Sequence, residues 1–204
     1  MVMTTNATNA ITAINVTNVP TTTTATASGT ATATHARAAA PLGVGVGAGA
    51  RARVAENGRL DFAKSAPKVF RALVGFDAAA REGLDPALVE LIQIRASHLN
   101  HCAYCLHMHT NDARRAGECE DRLHLVAVWR EAPHFFTERE RAALALTEAV
   151  TLVADRGVPA DVYAEAAAHF DDTELARVLA LIFAINTWNR VALSTAKVAG
   201  TDTR

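Results

Sequence analysis

Cys102 and Cys105 stand three residues apart in "NHCAYCLHMHTNDARRAG", residues 100–117, and His109 follows one helical turn beyond the second sulfur. Positions 102, 105 and 109 keep the i, i+3, i+7 spacing that sets three side chains on one helix face. Asn100 is a good N-cap, so the two cysteines are expected in the first turn or so of a helix. There, unpaired backbone N–H groups and the positive end of the helix dipole favour thiolate over thiol. Such surroundings bring a cysteine pKa from about 8.5 into the range of roughly 3.5–7.5. An activated sulfur, a second sulfur and a histidine are the parts of acid–base-assisted thiol chemistry. Glu90 lies among Val89, Leu91, Ile92 and Ile94 on the preceding helix, which must fold back across a short turn at Asn100-His101. It is a candidate to reach inward as a proton carrier. A solvent-facing carboxylate is the plainer reading of a lone helical Glu.

Two further readings of these residues stay open. Cys102, Cys105 and His109 are zinc-ligand types, with His98 or His101 as a fourth. A structural zinc site usually recruits a second, distant ligand pair, and Cys119, His124, His134 and His169 form no such cluster in the sequence. No bound metal is therefore expected. Free cysteines also serve as small apolar filler in a core. His107, two residues from Cys105, should point away to solvent, whereas for His98 a solvent-facing place and one near the thiols across the turn both stay open. Cys119 follows the stop at Gly117 among charges and reads as a bystander thiol.

The elements that must position these residues follow from pattern. The chain has 204 residues, half of them hydrophobic, with a formal net charge of -1. That suits one domain of ordinary size, and no basic block suggests nucleic acid. No apolar run approaches the roughly 18 residues of a membrane span. Three cysteines, two of them within one turn, fit a reducing compartment, so the expected location is cytoplasmic. Residues 1–57 are Thr, Ala, Asn and Gly with almost no large side chains. They read as a disordered tail, a targeting peptide being the other reading. From 58 to 204 the spacing is helical throughout: a helix through "RLDFAKSAPKVFRALVGFDAAAREG", one opened by Asp85 and Pro86, the cysteine helix closed at Gly117, and one ending at Pro133. Another is opened by the capping box of Thr137 and Glu140, and two more complete the series to Gly200. Strand-like alternation is absent. The expected fold class is all-α, a bundle of about six to eight helices.

Glu90, Cys102, Cys105 and His109 together give E-x11-C-x2-C-x3-H within "LVELIQIRASHLNHCAYCLHMHTNDARRAG". This stretch resembles the core of the AhpD-like alkylhydroperoxidases, which belong to the carboxymuconolactone decarboxylase superfamily. The likeness runs from about Arg59 to "AINTWNRVALSTA". It implies an AhpD-like helical bundle assembled as a homo-trimer or homo-hexamer, and a peroxidase cycle on hydroperoxide substrates with no cofactor beyond an external dithiol or lipoyl-type electron donor. Carried over by position, Cys105 would be the peroxidatic thiolate and Cys102 the resolving thiol. His109 would deprotonate Cys105, and Glu90 would be the outer member of the relay. The best-studied members carry a histidine where this chain has Tyr104, and His98 and His101 are the nearest residues that could substitute. Rival readings are a general thiol–disulfide oxidoreductase, a carboxymuconolactone decarboxylase-type enzyme and a non-catalytic zinc-stabilised helical protein. If the tail is an extension to the fold, deleting residues 1–57 leaves melting temperature and activity unchanged; a large loss of either would show that it packs on the domain.

Overall fold

The computed structural model describes residues 59–202, so the tail expected over residues 1–57 and its boundary at 58 lie outside them. Among the described residues the chain forms nine α-helices and no strand. The single helix expected first is two, α1 (Phe62–Ser65) and α2 (Pro67–Arg81). Pro67 brings no N–H and disfavours a helical residue before it, so the helix restarts after Ala66. Gly83, at φ 72°, turns the chain away from α2, and a side chain there would also meet the Arg177 guanidinium at 2.7 Å.

Asp85 caps α3 (Pro86–Leu99), accepting hydrogen bonds from the N–H groups of Ala87 at 2.8 Å and Leu88 at 3.2 Å. Pro86 takes the first helical position, as expected. α4 (Ala103–Arg115) carries the cysteine stretch, and Gly117 at φ 93° ends it. α5 (Glu120–Leu125) then passes into 3₁₀ turns over Val126–Glu131 and Pro133–Phe135, with a kink at Val128. The continuous helix expected up to Pro133 is thus broken. The Arg95 guanidinium donates to the Ala127 carbonyl at 2.7 Å, occupying an acceptor that a continuing helix would need for itself.

The capping box of Thr137 and Glu140 opens α6 (Glu138–Thr151). After α7 (Val153–Arg156) and α8 (Ala160–His169), a second capping box, Asp171 with Glu174, opens α9 (Asp172–Ser194). α9 stops at Thr195, short of the expected Gly200.

α3 is the axis of the bundle, packed against α4, α6 and α9. Leu88, Val89 and Ile92 enter one apolar cluster with Leu146, Val178 and Ile182; Leu91 and Ile94 enter another with Ala113, Trp129 and Leu144. Apolar residues surround most of α3, so its sequence shows little amphipathic contrast. No described helix is long and apolar enough to cross a membrane.

Glu148 on α6 ties the kinked segment to this axis. It accepts from Arg95 at 2.9 Å, Trp129 Nε1 at 2.8 Å and Arg130 at 2.6 Å. Burial pushes its carboxyl up, but the Arg130 and Trp129 hydrogen bonds, with the Arg95 charge, outweigh this and hold it below the ordinary 4.5. Its stabilising effect is thus complete above the unfolded value and is lost as pH falls through the lower folded one. Glu148→Ala strands Arg95 and Trp129 and should cost about 3 kcal/mol in urea unfolding at pH 7. The difference from wild type should shrink below the ordinary carboxylate range; an equal gap at pH 3 and pH 7 would refute this account.

Candidate active site

The chain reverses between α3 and α4 in a short turn. Asn100 keeps helical dihedrals, His101 takes the left-handed region at φ 54°, and Cys102 is extended. The Cys102 N–H donates back to the Ser97 carbonyl at 3.0 Å, closing the end of α3. Cys102 itself is the N-cap of α4, its Sγ accepting the Cys105 N–H at 3.5 Å. The expected N-cap, Asn100, is instead the C-cap of α3. Its amide nitrogen lies 3.0 Å from the Ala96 carbonyl, 3.0 Å from Asn186 Oδ1 and 2.9 Å from Asn189 Oδ1. Asn189 in turn donates to Ser97 Oγ at 3.1 Å, and Asn186 to Thr151 Oγ1 at 3.0 Å. Polar positions on α9, outside the cysteine motif, therefore hold the turn. The sequence signal was two Asn residues three apart inside the apolar run "LALIFAINTWN".

Both sulfurs are buried, Cys102 at 1% and Cys105 at 2% exposure, among Ala96, Ile185 and Ala192, with Tyr104 and Trp188 packed against them. The pair divides its proton unevenly. Cys102 accepts from the Cys105 side chain and, despite burial, from the Cys105 N–H and the Asn189 amide; its pKa is lowered to about 7. Cys105 gives the hydrogen bond to Cys102, is desolvated and faces the Cys102 charge, so its thiol is pushed up. The surroundings thus favour ionisation at Cys102, the opposite end of the pair from the sulfur to which the resemblance gives the first attack. One hydrogen bond separates the two protonation states, and the pair titrates as a unit.

His109 lies one turn beyond Cys105 and is 2% exposed. Its Nδ1 is 2.9 Å from Glu90 Oε2, so Glu90 faces inward from α3. With the carboxylate as acceptor, Nδ1 carries the proton and Nε2 is the basic nitrogen of the ring. Arg81 donates to Glu90 Oε1 at 3.4 Å and to Asp77 Oδ2 at 2.9 Å. The chain His109–Glu90–Arg81–Asp77 therefore runs from α4, one turn past Cys105, to α2. Arg81 and Asp77 stand far ahead of the cysteine motif, and nothing in their spacing announced them.

The accessory candidates sit elsewhere. His101 is exposed, and His98 is half-buried with its pKa lowered by burial and by the Arg95 charge; neither ring hydrogen-bonds to a sulfur. His107 faces solvent near Asp202, as expected, and Cys119 is exposed. One group of metal-ligand types converges among the described residues: Glu90, His109 and Asp112, with donor atoms within 4.8 Å of one another. Neither sulfur belongs to it. His109 Nδ1 is engaged by Glu90, and Asp112 pairs with Arg115.

A model of the carboxymuconolactone decarboxylase family matches residues 67–149. The chain is 33% identical over 137 residues to the uncharacterised protein YdfG of Bacillus subtilis, covering 67% of this chain and 92% of that one. It is 31% identical over 125 residues to the uncharacterised protein YnjA of Escherichia coli, covering 61% and 66%. Among solved structures, a protein of unknown function from Agrobacterium tumefaciens, named for a proposed antioxidant-defence role as AhpD, superposes with a TM-score of 0.67 at 38% identity over 71% of this chain and 99% of that one. An uncharacterised peroxidase-related protein from Silicibacter shares the fold at a TM-score of 0.58 and 21% identity, over 66% and 72%.

Because the Cys105 side chain and the Asn189 amide both lower the Cys102 pKa, removing either donor should raise it. The iodoacetamide alkylation rate of the reduced wild type should rise with pH about a midpoint near 7. In Cys105→Ala and Asn189→Ala the midpoint should move up and the rate at pH 7 fall. An unmoved midpoint in both variants would show that these contacts do not set the thiolate.

Proposed function

We propose that this chain, which belongs to the AhpD-like branch of the carboxymuconolactone decarboxylase family, is a thiol-dependent peroxidase that reduces hydroperoxides through a Cys102–Cys105 dithiol/disulfide cycle. The observation that carries the reading is the pair of buried cysteines within one helical turn, the Cys105 N–H on Cys102 Sγ, with the buried His109–Glu90 pair on the same helix. Antioxidant enzymes of this kind need an ionised sulfur, a second sulfur in reach and a proton source for the leaving oxygen.

The cycle starts from the monoanionic pair, with the proton it has given up held on His109 Nε2 as the imidazolium. With the shared proton on Cys102, the Cys105 thiolate attacks the terminal oxygen of R–O–O–H. The S–O bond forms as the O–O bond breaks, two electrons pass from sulfur, and the departing alkoxide takes a proton from His109 to give the alcohol. Glu90 holds the imidazole in the required tautomer and offsets its charge while it is protonated. Cys102 then attacks the Cys105 sulfenic acid; the S–S bond forms and hydroxide leaves with the Cys102 proton as water. An external dithiol or lipoyl-type donor restores the pair by exchange and is oxidised to its own disulfide. The reading includes a cytoplasmic homo-trimer or homo-hexamer and no cofactor of its own.

A second reading has an observation of its own. A low-pKa first cysteine at a helix N-cap, with a raised, buried second one, is also the arrangement of a general thiol–disulfide oxidoreductase. That reading makes Cys102 the attacking sulfur and a protein or small-molecule disulfide its substrate.

Thiol titration before and after hydroperoxide, with and without dithiol, tests the proposal. The wild type should lose two thiols per chain and regain them with dithiol. Cys105→Ser should abolish peroxide-dependent dithiol oxidation, and Cys102→Ser should leave a trappable sulfenic acid at Cys105. Turnover of either serine variant at the wild-type rate would sink the peroxidase cycle, and thiols oxidised by disulfides but not by peroxide would favour the second reading.

A further inference from the structure

Gln93 is wholly buried in α3, and neither its amide nitrogen nor its carbonyl oxygen has a hydrogen-bond partner among the described residues. Buried polar side chains are nearly always paired, because an unpaired one has given up its hydration for nothing. Nothing in the thiol cycle above uses it.

Its direction follows from its neighbours on α3. Glu90 reaches His109 on α4, and Ser97 accepts from Asn189 on α9. On the other flank, Val89 and Ala96 pack with α9 residues such as Val178 and Ile185. At about 3.6 residues per turn, position 93 falls between these two flanks and points into the seam of α4 with α9. Its height follows as well. α3 and α4 run antiparallel, with Glu90 level with His109 and Ser97 level with Cys102. Residue 93 therefore lies level with the turn of α4 that holds Cys105.

A primary amide offers an N–H donor and a carbonyl acceptor side by side. A hydroperoxide asks for both, since its O–H donates and its oxygens accept. We propose that Gln93 is a substrate-binding residue that holds the –OOH group of a hydroperoxide against Cys105. Oε1 accepts from the terminal O–H, and Nε2 donates to the inner oxygen. During attack the S–O bond forms at the terminal oxygen and the O–O bond breaks. Negative charge then develops on the inner oxygen, where the Nε2 donor is fixed, and the proton that neutralises it comes from His109. Gln93 neither gives nor takes a proton. The inference rests on the peroxidase reading and extends it to the group that recognises the substrate.

The test uses the full chain, reduced, with cumene hydroperoxide as the probe and thiol oxidation followed by rapid mixing. Gln93→Leu and the straight-chain Gln93→Met remove both polar atoms while keeping most of the volume. In at least one folded variant, the second-order rate constant for peroxide should fall at least about tenfold. Reduction of the disulfide form by dithiothreitol and the alkylation midpoint of Cys102 should be unchanged. The melting temperature should hold or rise, because a buried amide without a partner has been removed. An unchanged peroxide rate in both variants overturns the proposal, as does equal slowing of both half-reactions, which marks a packing role. A wild type that peroxide fails to oxidise overturns the peroxidase reading itself, so the two failures are distinct.

Discussion

Everything at the site depends on the amide knot that fastens the α3–α4 reversal to α9. Asn100 keeps its backbone bond in the ladder of α3 while its side chain meets Asn186 and Asn189, and Asn189 closes the circuit on Ser97. The turn it secures is strained at His101, a residue with a Cβ in the left-handed region. Such a conformation costs of order 1 kcal/mol and persists only where the surroundings over-determine it. What the strain achieves is placement. Cys102 becomes at once the closing residue of α3 and the cap of α4, and its sulfur lies where a backbone N–H points. The same Asn189 amide that holds the turn also favours the ionised form of both sulfurs. Positioning and pKa are thus set by one side chain.

A buried pair of sulfurs cannot easily carry two negative charges, and here the hydrogen bond to Cys102, burial and the Cys102 charge together make the second ionisation harder than the first. The pair therefore gives up a first proton more readily than a second, which suits chemistry that needs a nucleophile and a proton donor in sequence. The second proton route is separate. His109 is oriented by Glu90, Glu90 by Arg81, and Arg81 by Asp77, so a helix remote from the motif fixes the imidazole. In such a network each member is costly to leave unpaired, and the set is worth more than its parts. Gln93 stands outside this network, with neither polar atom of its buried amide paired among the described residues. An unpaired amide next to a reacting group is the kind of local loss of stability that proteins retain where function uses it.

The relationship to the carboxymuconolactone decarboxylase family bears on the core of the chain, residues 67–149, which includes both cysteines, His109 and Glu90. α9 lies beyond that match, although it supplies the asparagines of the knot and the Trp188 ring that packs against the cluster containing both cysteines. The aromatic cover is built from both regions, Tyr104 from α4 and Trp188 from α9, with Phe70 edge-on to Trp188 at 5.4 Å. Tyr104, where a relay histidine stands in better-studied relatives, forms part of this cover.

How much was legible in advance differs by residue, and the reason is the range of the interaction. The all-α class, Asp85 with Pro86, and the Thr137 capping box are decided within a few residues of chain, so local pattern displays them. Cys102, Cys105 and His109 share a face by helical spacing alone, and the sequence by itself determined that they could act together. It did not determine which sulfur the surroundings favour in its ionised form. That follows from the true start of α4 at Cys102 rather than at Asn100, and from an amide supplied by α9. Nor did it decide Glu90, for which the surface was the plainer reading until the fold set it 2.9 Å from His109. Helical period tells which side chains share a face, but not what that face meets. Only tertiary packing chooses the partner across the interface, and in this protein the partners set the charge.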